Sequence, residues 1–244
     1  MKNYSYVGVS LIILIFGIIF IPKIINRVQN GDVVDADRLT SGVSEKPSEN
    51  IKPLRYIEIN GERKKAPSFE LVNQDGDTIS DEFYDGKVYL VEFFFSTCPT
   101  ICPIMNSNLV EIQEEFKNQE DFGIASISID PRHDTPAVLK QYAKDHGINH
   151  PNWNLLTGDR DTIYNLANKQ FGIYAGEDGD AAGGFAHQGF FVLIDQDGYV
   201  RSREDQFGNP IIFYKGSVKR NKSVAEGEEE PQINILIEDI KQLL

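Results

Sequence analysis

Cysteine is scarce in this chain, since only Cys98 and Cys102 occur among its 244 residues. Two cysteines cannot build a multi-disulfide framework, and they are too few for a four-cysteine zinc or iron–sulfur site. Positive charge is also scarce, because 24 lysines and arginines stand against 37 aspartates and glutamates, a formal net charge of −13. We therefore expect no nucleic-acid partner, since phosphate binding requires a basic surface.

Long apolar runs are limited to one uncharged segment, which spans Tyr6 to Pro22. As a helix, a run of this length extends about 26 Å, near the lower limit for crossing a bilayer. No small-residue cleavage site follows it, so we predict one uncleaved transmembrane helix, with a cleaved signal peptide as the alternative. Lys2 on one side and Lys23 and Arg27 on the other do not determine its orientation.

Composition divides the chain into three predicted parts. Residues 1–27 form the membrane anchor, and the polar residues 28–53 form a linker that holds the next part away from the membrane. Residues 54–244 form a globular domain. Within it, residues from about 204 to 231 are an insertion, and the run Glu226–Glu230 inside this insertion is predicted to be an exposed acidic loop.

Strand and helix patterns alternate through the globular part. Val88–Phe95 is a continuous apolar run, typical of a strand buried on both faces of a sheet, and Asn73–Gly76 is a hairpin turn signal. The other predicted strands are 66–71, 124–129, 153–156, 189–194 and 199–203, and the predicted helices are 104–118, 136–146, 159–171 and 233–244. This order predicts an α/β fold, a thioredoxin-like three-layer sandwich.

The two cysteines form a C-x-x-x-C motif that directly follows the buried strand and enters a helix. A spacing of four residues places both sulfurs on one helical face, about one turn apart. The start of a helix favours the thiolate, which is the form that binds metals and attacks disulfides. The pattern thus indicates metal binding or thiol–disulfide exchange, whereas a pair of inert buried cysteines is the alternative without function.

His187 is the candidate for a third ligand. It precedes the predicted strand 189–194, at the point where a thioredoxin-like sheet faces the start of the cysteine-bearing helix, and where thioredoxins carry a cis-proline. Two thiolates suit Cu(I), and an added imidazole also suits Cu(II). The other histidines are predicted to be structural: one in a strand–helix turn, one at a helix end and one in a polar surface loop (His133, His146 and His150).

The sequence resembles the Sco/SenC family of membrane-anchored copper proteins. The resemblance rests on the anchor, the motif Thr97–Pro103 (TCPTICP), the motif Asp130–Pro136 (DPRHDTP) and the lone His187 before a strand. It covers the anchor, about residues 66–203 and the final helix. It implies a thioredoxin-like fold and a soluble domain in the periplasm.

The resemblance also implies that Cys98, Cys102 and His187 bind one copper ion, as Cu(I), Cu(II) or both. The implied partner is the cytochrome c oxidase subunit that carries the CuA centre, or another copper protein. The chain would assist assembly by delivering copper, by reducing the cysteines of the target, or by both. In this interpretation the protein is a metallochaperone and not a turnover enzyme.

Two acidic residues of the second motif, Asp130 and Asp134, correspond to an acidic motif near the family's site, so a supporting role beside the ligands is one interpretation. Helix capping by Asp134, two residues before Pro136, is the other. The glycine-rich loop 176–184 also carries acidic residues, and we expect it to be solvated and mobile.

Two other functions remain as alternatives. A thiol–disulfide oxidoreductase would use Cys98 and Cys102 as a redox pair. Three features argue against it: three residues and not two separate the cysteines, the position expected for a cis-proline holds no proline, and no tryptophan precedes the first cysteine, since the only one is Trp153. A peroxidase would need a P-x-x-x-T-x-x-C arrangement, which the residues before Cys98 do not provide.

Overall fold

A computed structural model of the chain describes residues 53–205, 208–223 and 230–244, together with Leu14 and Phe16. The predicted anchor and linker otherwise lie outside the described residues, as do residues 224–229, which include most of the predicted acidic loop. In the part of the chain that is described, no helix combines the length and the apolar character needed to cross a bilayer.

The centre of the domain is a mixed β-sheet, to which nine strands of the described chain belong. These strands are β1 (Arg55–Tyr56), β4 (Glu70–Asn73), β5 (Thr78–Ser80), β6 (Val88–Phe94), β7 (Phe122–Ser128), β8 (Trp153–Thr157), β11 (Phe190–Ile194), β12 (Val200–Ser202) and β13 (Tyr214–Lys215). Two short hairpins lie outside it, β2 (Glu58–Ile59) with β3 (Glu62–Arg63) and β9 (Ala175–Glu177) with β10 (Phe185–His187).

The strand order is β1-β12-β11-β6-β7-β8-β4-β5, and β13 pairs with β11. In this sheet β6, β7 and β8 run parallel to one another, and every other described pair is antiparallel, including β6 with β11 and β8 with β4. All seven residues of β6 are buried, as expected for an apolar strand in the middle of a sheet covered on both faces. The carboxyl end of this strand leads to the cysteines.

Helices lie on both faces of the sheet. They are α1 (Cys102–Glu115), α2 (Pro136–Asp145), α3 (Arg160–Asn165), which continues as a π-helical turn (Leu166–Phe171), and α4 (Ile233–Leu243), with a 3-10 turn at Asp81–Tyr84. Phe94 contacts Tyr142 of α2 on one face, whereas Phe93 contacts Phe171 of the π-helical turn on the other. The predicted mixed α/β sheet is therefore confirmed.

Part of the predicted insertion is buried. Tyr214 and Val218 are 0% and 7% exposed, and β13 pairs with the start of β11. Within the described residues of this region, the chain packs against the sheet edge because its strand forms ladder hydrogen bonds and Tyr214 reaches the buried carboxylate of Asp239 on α4. The predicted exposed loop Glu226–Glu230 lies outside the described residues except for Glu230, which is exposed.

One carboxyl group lies inside the core. Glu92 of β6 is 3% exposed; its Oε1 accepts a hydrogen bond from Ser126 Oγ at 2.7 Å, while Oε2 has no partner among the residues described. Burial raises the pKa of Glu92 to about 7, and the Ser126 hydrogen bond only partly offsets this. The folded chain therefore holds a proton on Glu92 at pH values where the unfolded chain has lost it.

We predict that Glu92 makes the metal-free domain less stable as pH rises. Its stabilising contribution is complete below about pH 4.5 and is lost as pH rises to about 7, because the folded pKa is the higher one. The loss amounts to about 3 kcal/mol at most, at 1.36 kcal/mol per pKa unit. Urea unfolding of the wild type and of Glu92→Gln at pH 5 and pH 8 measures it. Raising the pH from 5 to 8 should lower the free energy of unfolding more in the wild type than in Glu92→Gln. An equal change in the two proteins would contradict the assignment of the raised pKa to Glu92.

Candidate metal centre

The two cysteines lie where the loop after β6 enters α1, with Cys98 in the loop and Cys102 at the start of the helix. Cys102 is the first residue of α1, and Ile101 before it provides no side-chain cap, so the first N–H groups of the helix are not satisfied by a capping side chain. Cys98 and Cys102 are 8% and 2% exposed, and both are free thiols. The local sequence thus places two buried sulfurs at the amino end of a helix.

The structure brings Cys98, Cys102 and His187 together. One donor atom of each, the two Sγ atoms and an imidazole nitrogen, lies within 4.8 Å of the others. His187 Nε2 is 3.1 Å from Cys102 Sγ, although 85 residues separate them along the chain. Cys98 Sγ lies 3.6 Å from Thr100 Oγ1.

The two thiols have strongly different acidities. The side-chain hydrogen bond from Cys102 holds the pKa of Cys98 well below its usual range, with further lowering from His187 and from the N–H groups of Cys102 and Thr100. The same hydrogen bond, together with burial, raises the pKa of Cys102. Cys98 is therefore the thiolate of the pair, as expected for a sulfur that faces N–H groups at a helix start.

His187 belongs to the β9–β10 hairpin, where it pairs with Ala175. Its ring packs edge-on against Phe95, with 5.7 Å between ring centroids. The buried Nδ1 atom has no hydrogen-bond partner among the described residues. The imidazole is therefore positioned by its backbone and by packing, whereas metal-ligating histidines usually donate Nδ1–H or Nε2–H to a neighbouring acceptor.

The glycine-rich loop folds over the cysteine loop at Gly183. This residue has φ of +85°, and a Cβ on it would lie 2.9 Å from Phe95 Cε2 and 3.1 Å from Pro99 Cδ. Glycine is required here both by the left-handed backbone and by the close approach. Glu177, near the start of the loop, pairs with Arg160 at 3.1 Å.

Asp134 supports the cysteine loop without contacting a sulfur in any described interaction. Its buried carboxylate accepts hydrogen bonds from Ser96 N at 3.0 Å, from Ser96 Oγ, and from Ser128 Oγ at 2.5 Å. The helix-capping interpretation of Asp134 is wrong, because Thr135 is the N-cap and accepts from Val138 N. Asp134 instead fixes Ser96, two residues before Cys98.

Asp130 lies further from the centre. Its carboxylate makes no hydrogen bond with any residue described, and it borders a small cavity also lined by Arg132 and Arg160. Its backbone contributes instead: the Asp130 carbonyl accepts from the N–H groups of His133 and Asp134 and so shapes the turn.

The other histidines do not join the cluster. His133 is half exposed and lies 2.9 Å from Asp134, which raises its pKa, and His146 Nδ1 lies 2.9 Å from Tyr142 O. The surface prediction for His150 is wrong. It is 5% exposed, because Gln113 of α1 accepts a hydrogen bond from its N–H and draws the loop inward, and burial lowers its pKa.

Two kinds of chemistry fit this centre. Two soft thiol ligands and an imidazole match the ligand preferences of copper, and the three donors already converge on one point. Two free thiols, one with a lowered pKa, also match the requirements of thiol–disulfide exchange.

Comparison with known proteins identifies relatives of this chain. The SCO1 protein homolog of Bacillus subtilis (strain 168) is 36% identical over 135 residues, which is 54% of this chain and 69% of that one. The structure of BsSco, described as having a disulfide switch and as a member of the Sco family of cytochrome c oxidase assembly proteins, matches with a TM-score of 0.58 and 30% identity, covering 79% of this chain and 95% of that one.

Yeast Sco1 with copper bound matches with a TM-score of 0.50 and 25% identity, covering 73% of this chain and 89% of that chain. The sequence model described as SCO1/SenC matches residues 58–217, a range that includes the cysteine motif, His187 and β13. Because this match spans more than half of the chain, the protein belongs to the SCO1/SenC family.

Proposed function

We propose that the protein is a copper chaperone that binds one copper ion through Cys98, Cys102 and His187. The observation that carries the proposal is the convergence of the three donor atoms within 4.8 Å at one end of the sheet. Copper is the cargo in this function, and the chain is a binding protein. Yeast Sco1, a structural relative, has copper bound.

The residues of the centre would divide the work of holding copper. Cys98 already favours the thiolate, so it requires little proton release when the metal arrives. Cys102 must lose its proton, and His187 lies within hydrogen-bond distance of that sulfur. Asp134 holds the loop through Ser96, so we assign it a positioning role, and Asp130 acts through its backbone turn.

The recipient in this proposal is the cytochrome c oxidase subunit that carries the CuA centre, or another copper protein. The family match and the description of BsSco as an oxidase assembly protein support this choice. We further propose that residues 1–27 anchor the chain in a membrane, that residues 28–53 are a linker and that residues 54–244 act outside the cytoplasm, in the periplasm. The apolar run at 6–22 supports the anchor.

A copper titration tests the proposal. Full-length protein, reduced and anaerobic in mild detergent, is titrated with Cu(I) in competition with a chromophoric Cu(I) chelator. We expect tight binding that saturates at one copper ion per chain, because the described residues offer one cluster of soft donors. The absence of binding that competes with the chelator would overturn the proposal.

A second candidate function is thiol–disulfide exchange with the copper-site cysteines of a partner. The lowered pKa of Cys98 favours it. The Cys98 thiolate would attack a partner disulfide, and Cys102 would then attack Cys98 Sγ and displace the partner thiolate. Two electrons would pass to the partner as Cys98 and Cys102 become a disulfide, while one of the two protons comes from Cys102 and the other from solvent. Weak copper binding, together with a readily cycled disulfide in the titrated protein, would favour this function over the first.

A further inference from the structure

Asn108 connects the cysteine-bearing helix to a distant segment of the chain. It lies on α1, six positions after Cys102, and is 1% exposed. Its Nδ2 donates to Gly216 O at 2.8 Å and to Val218 O at 2.9 Å, and its Oδ1 accepts from Arg220 N at 3.1 Å. A buried amide with three hydrogen bonds to one segment fixes that segment firmly, because each unmade bond would leave a buried polar group unpaired.

The same segment holds the chain next to His187. Gly216 N donates to Gly189 O at 2.8 Å, and Lys215 of β13 pairs with Phe190. At Gly189, two residues after His187, a Cβ would lie 2.7 Å from Ser217 Cβ and 3.3 Å from Ile101 Cδ1. Residues 214–220, which we call the brace, therefore touch both the backbone beside His187 and the α1 helix.

The brace matters for the metal centre because no hydrogen bond at His187 Nδ1 orients the ring among the described residues. The ring is held by its packing against Phe95 and by its backbone, which pairs with Ala175. The distance from His187 to Cys102 then depends on how the backbone near Gly189 is held relative to α1. The hydrogen bonds of Asn108 fix that relation through the brace.

We infer that Asn108 is a positioning residue for the metal centre, which it serves by clamping the brace between α1 and the strand that follows His187. The inference rests on the proposed copper function, and it assigns a role to a segment whose sequence alone indicated only an insertion. Asn108 touches no donor atom of the centre in the described interactions, and it acts only through backbone placement.

The chain supplies a matched control in Gln113. This side chain also lies on α1, is 0% exposed and makes three hydrogen bonds: Nε2 to Gly147 O at 3.0 Å, and Oε1 from Asn149 N at 2.8 Å and from His150 N at 2.9 Å. Its partners belong to the loop before β8, which contributes no donor to the centre. Gln113→Ala thus removes the same kind of buried amide without disturbing the brace.

The test compares Asn108→Ala and Gln113→Ala in the full-length protein. Cu(I) affinity is measured by competition with a chromophoric chelator, and we expect Asn108→Ala to weaken it about 10-fold, as for other residues that orient metal ligands. The Cu(I) affinity of Gln113→Ala should remain within about 2-fold of the wild-type affinity. Its free energy of unfolding in urea should fall by about as much as that of Asn108→Ala. Equal effects of the two variants on affinity, or no effect of either, would overturn the inference.

A metal-free measurement separates this inference from the proposed function. Amide hydrogen exchange at Gly216, whose N–H is bonded to Gly189 O, should accelerate in metal-free Asn108→Ala and stay unchanged in Gln113→Ala. If the wild type binds no copper, the chaperone proposal fails while the exchange result still decides whether the brace restrains this strand.

Should Asn108→Ala not fold, Asn108→Ser, which retains a short hydrogen-bonding group, is expected to show the same changes at smaller size. Unchanged affinity and exchange in Asn108→Ser would equally overturn the inference.

Discussion

Replacement of His187 by alanine is expected to weaken Cu(I) binding at least about 100-fold, or about 3 kcal/mol, and to leave the fold intact. Loss of a residue that merely orients a ligand already costs about 10-fold to 100-fold in metal affinity, so loss of a donor should cost more. Within the described part of the chain, the imidazole interacts with the two cysteine sulfurs and packs edge-on against Phe95, so its removal should leave the fold intact. Chelator competition measures the affinity, and circular dichroism the fold.

His146 provides the control for this substitution. It is an exposed histidine whose Nδ1 lies near a backbone carbonyl of α2, and it is not part of the cluster. His146→Ala should bind Cu(I) like the wild type, whereas the double variant Cys98→Ala/Cys102→Ala should not compete with the chelator at all. If His187→Ala kept the wild-type affinity and spectrum, His187 would not be a ligand.

The second large effect is expected at the ion pair between Arg203 and Asp239, whose carboxylate is buried. Asp239 of α4 is 0% exposed and accepts a two-pronged interaction from Arg203, with Nε to Oδ2 at 2.9 Å and Nη2 to Oδ1 at 2.6 Å. Tyr214 OH donates to Asp239 Oδ2 at 2.6 Å, and burial raises the pKa of Tyr214, so the hydroxyl keeps its proton. Asp239→Ala should lower the free energy of unfolding by about 3 kcal/mol, since it removes the two-pronged partner of the Arg203 guanidinium and leaves the buried Tyr214 hydroxyl without its acceptor.

Glu238 distinguishes this effect from simple loss of negative charge. It contacts the same Arg203 Nη2 at 3.1 Å, but its side chain is 61% exposed. Glu238→Ala should therefore change stability by less than about 1 kcal/mol. Urea unfolding at neutral pH compares the two variants. Equal losses of stability in the two variants would show that the buried geometry of Asp239 contributes nothing. The double variant Arg203→Met/Asp239→Leu should recover much of the stability that Asp239→Ala loses.

Local patterns predicted the elements around the centre well. The apolar run that became β6 and the Asn73–Gly76 hairpin were identified from neighbouring residues alone, because strand burial and turn chemistry depend on short stretches. The predicted helix after the cysteines begins at Cys102, two residues earlier than expected. The grouping of His187 with the cysteines followed from the predicted sheet, which brings a strand entry to the start of a helix.

Long-range contacts account for what the sequence did not reveal. His150 is buried because Gln113, 37 residues away, accepts its N–H, and the brace is held by Asn108, more than 100 residues earlier. A strand of two residues such as β13 has no detectable period, and it is recognised only by its pairing with β11. Such features depend on partners that no local window contains.

The separation of 85 residues between Cys102 and His187 also has a consequence for biosynthesis. During synthesis, both cysteines leave the ribosome long before His187 does, and the brace follows later still. The pocket can close only after the slow, non-local pairing of β11 with β6 has brought the two halves of the sheet together. Until then the two cysteines are exposed thiols that can react with oxidants or bind other metal ions. In the proposed function, selectivity for copper would therefore arise only at the end of folding.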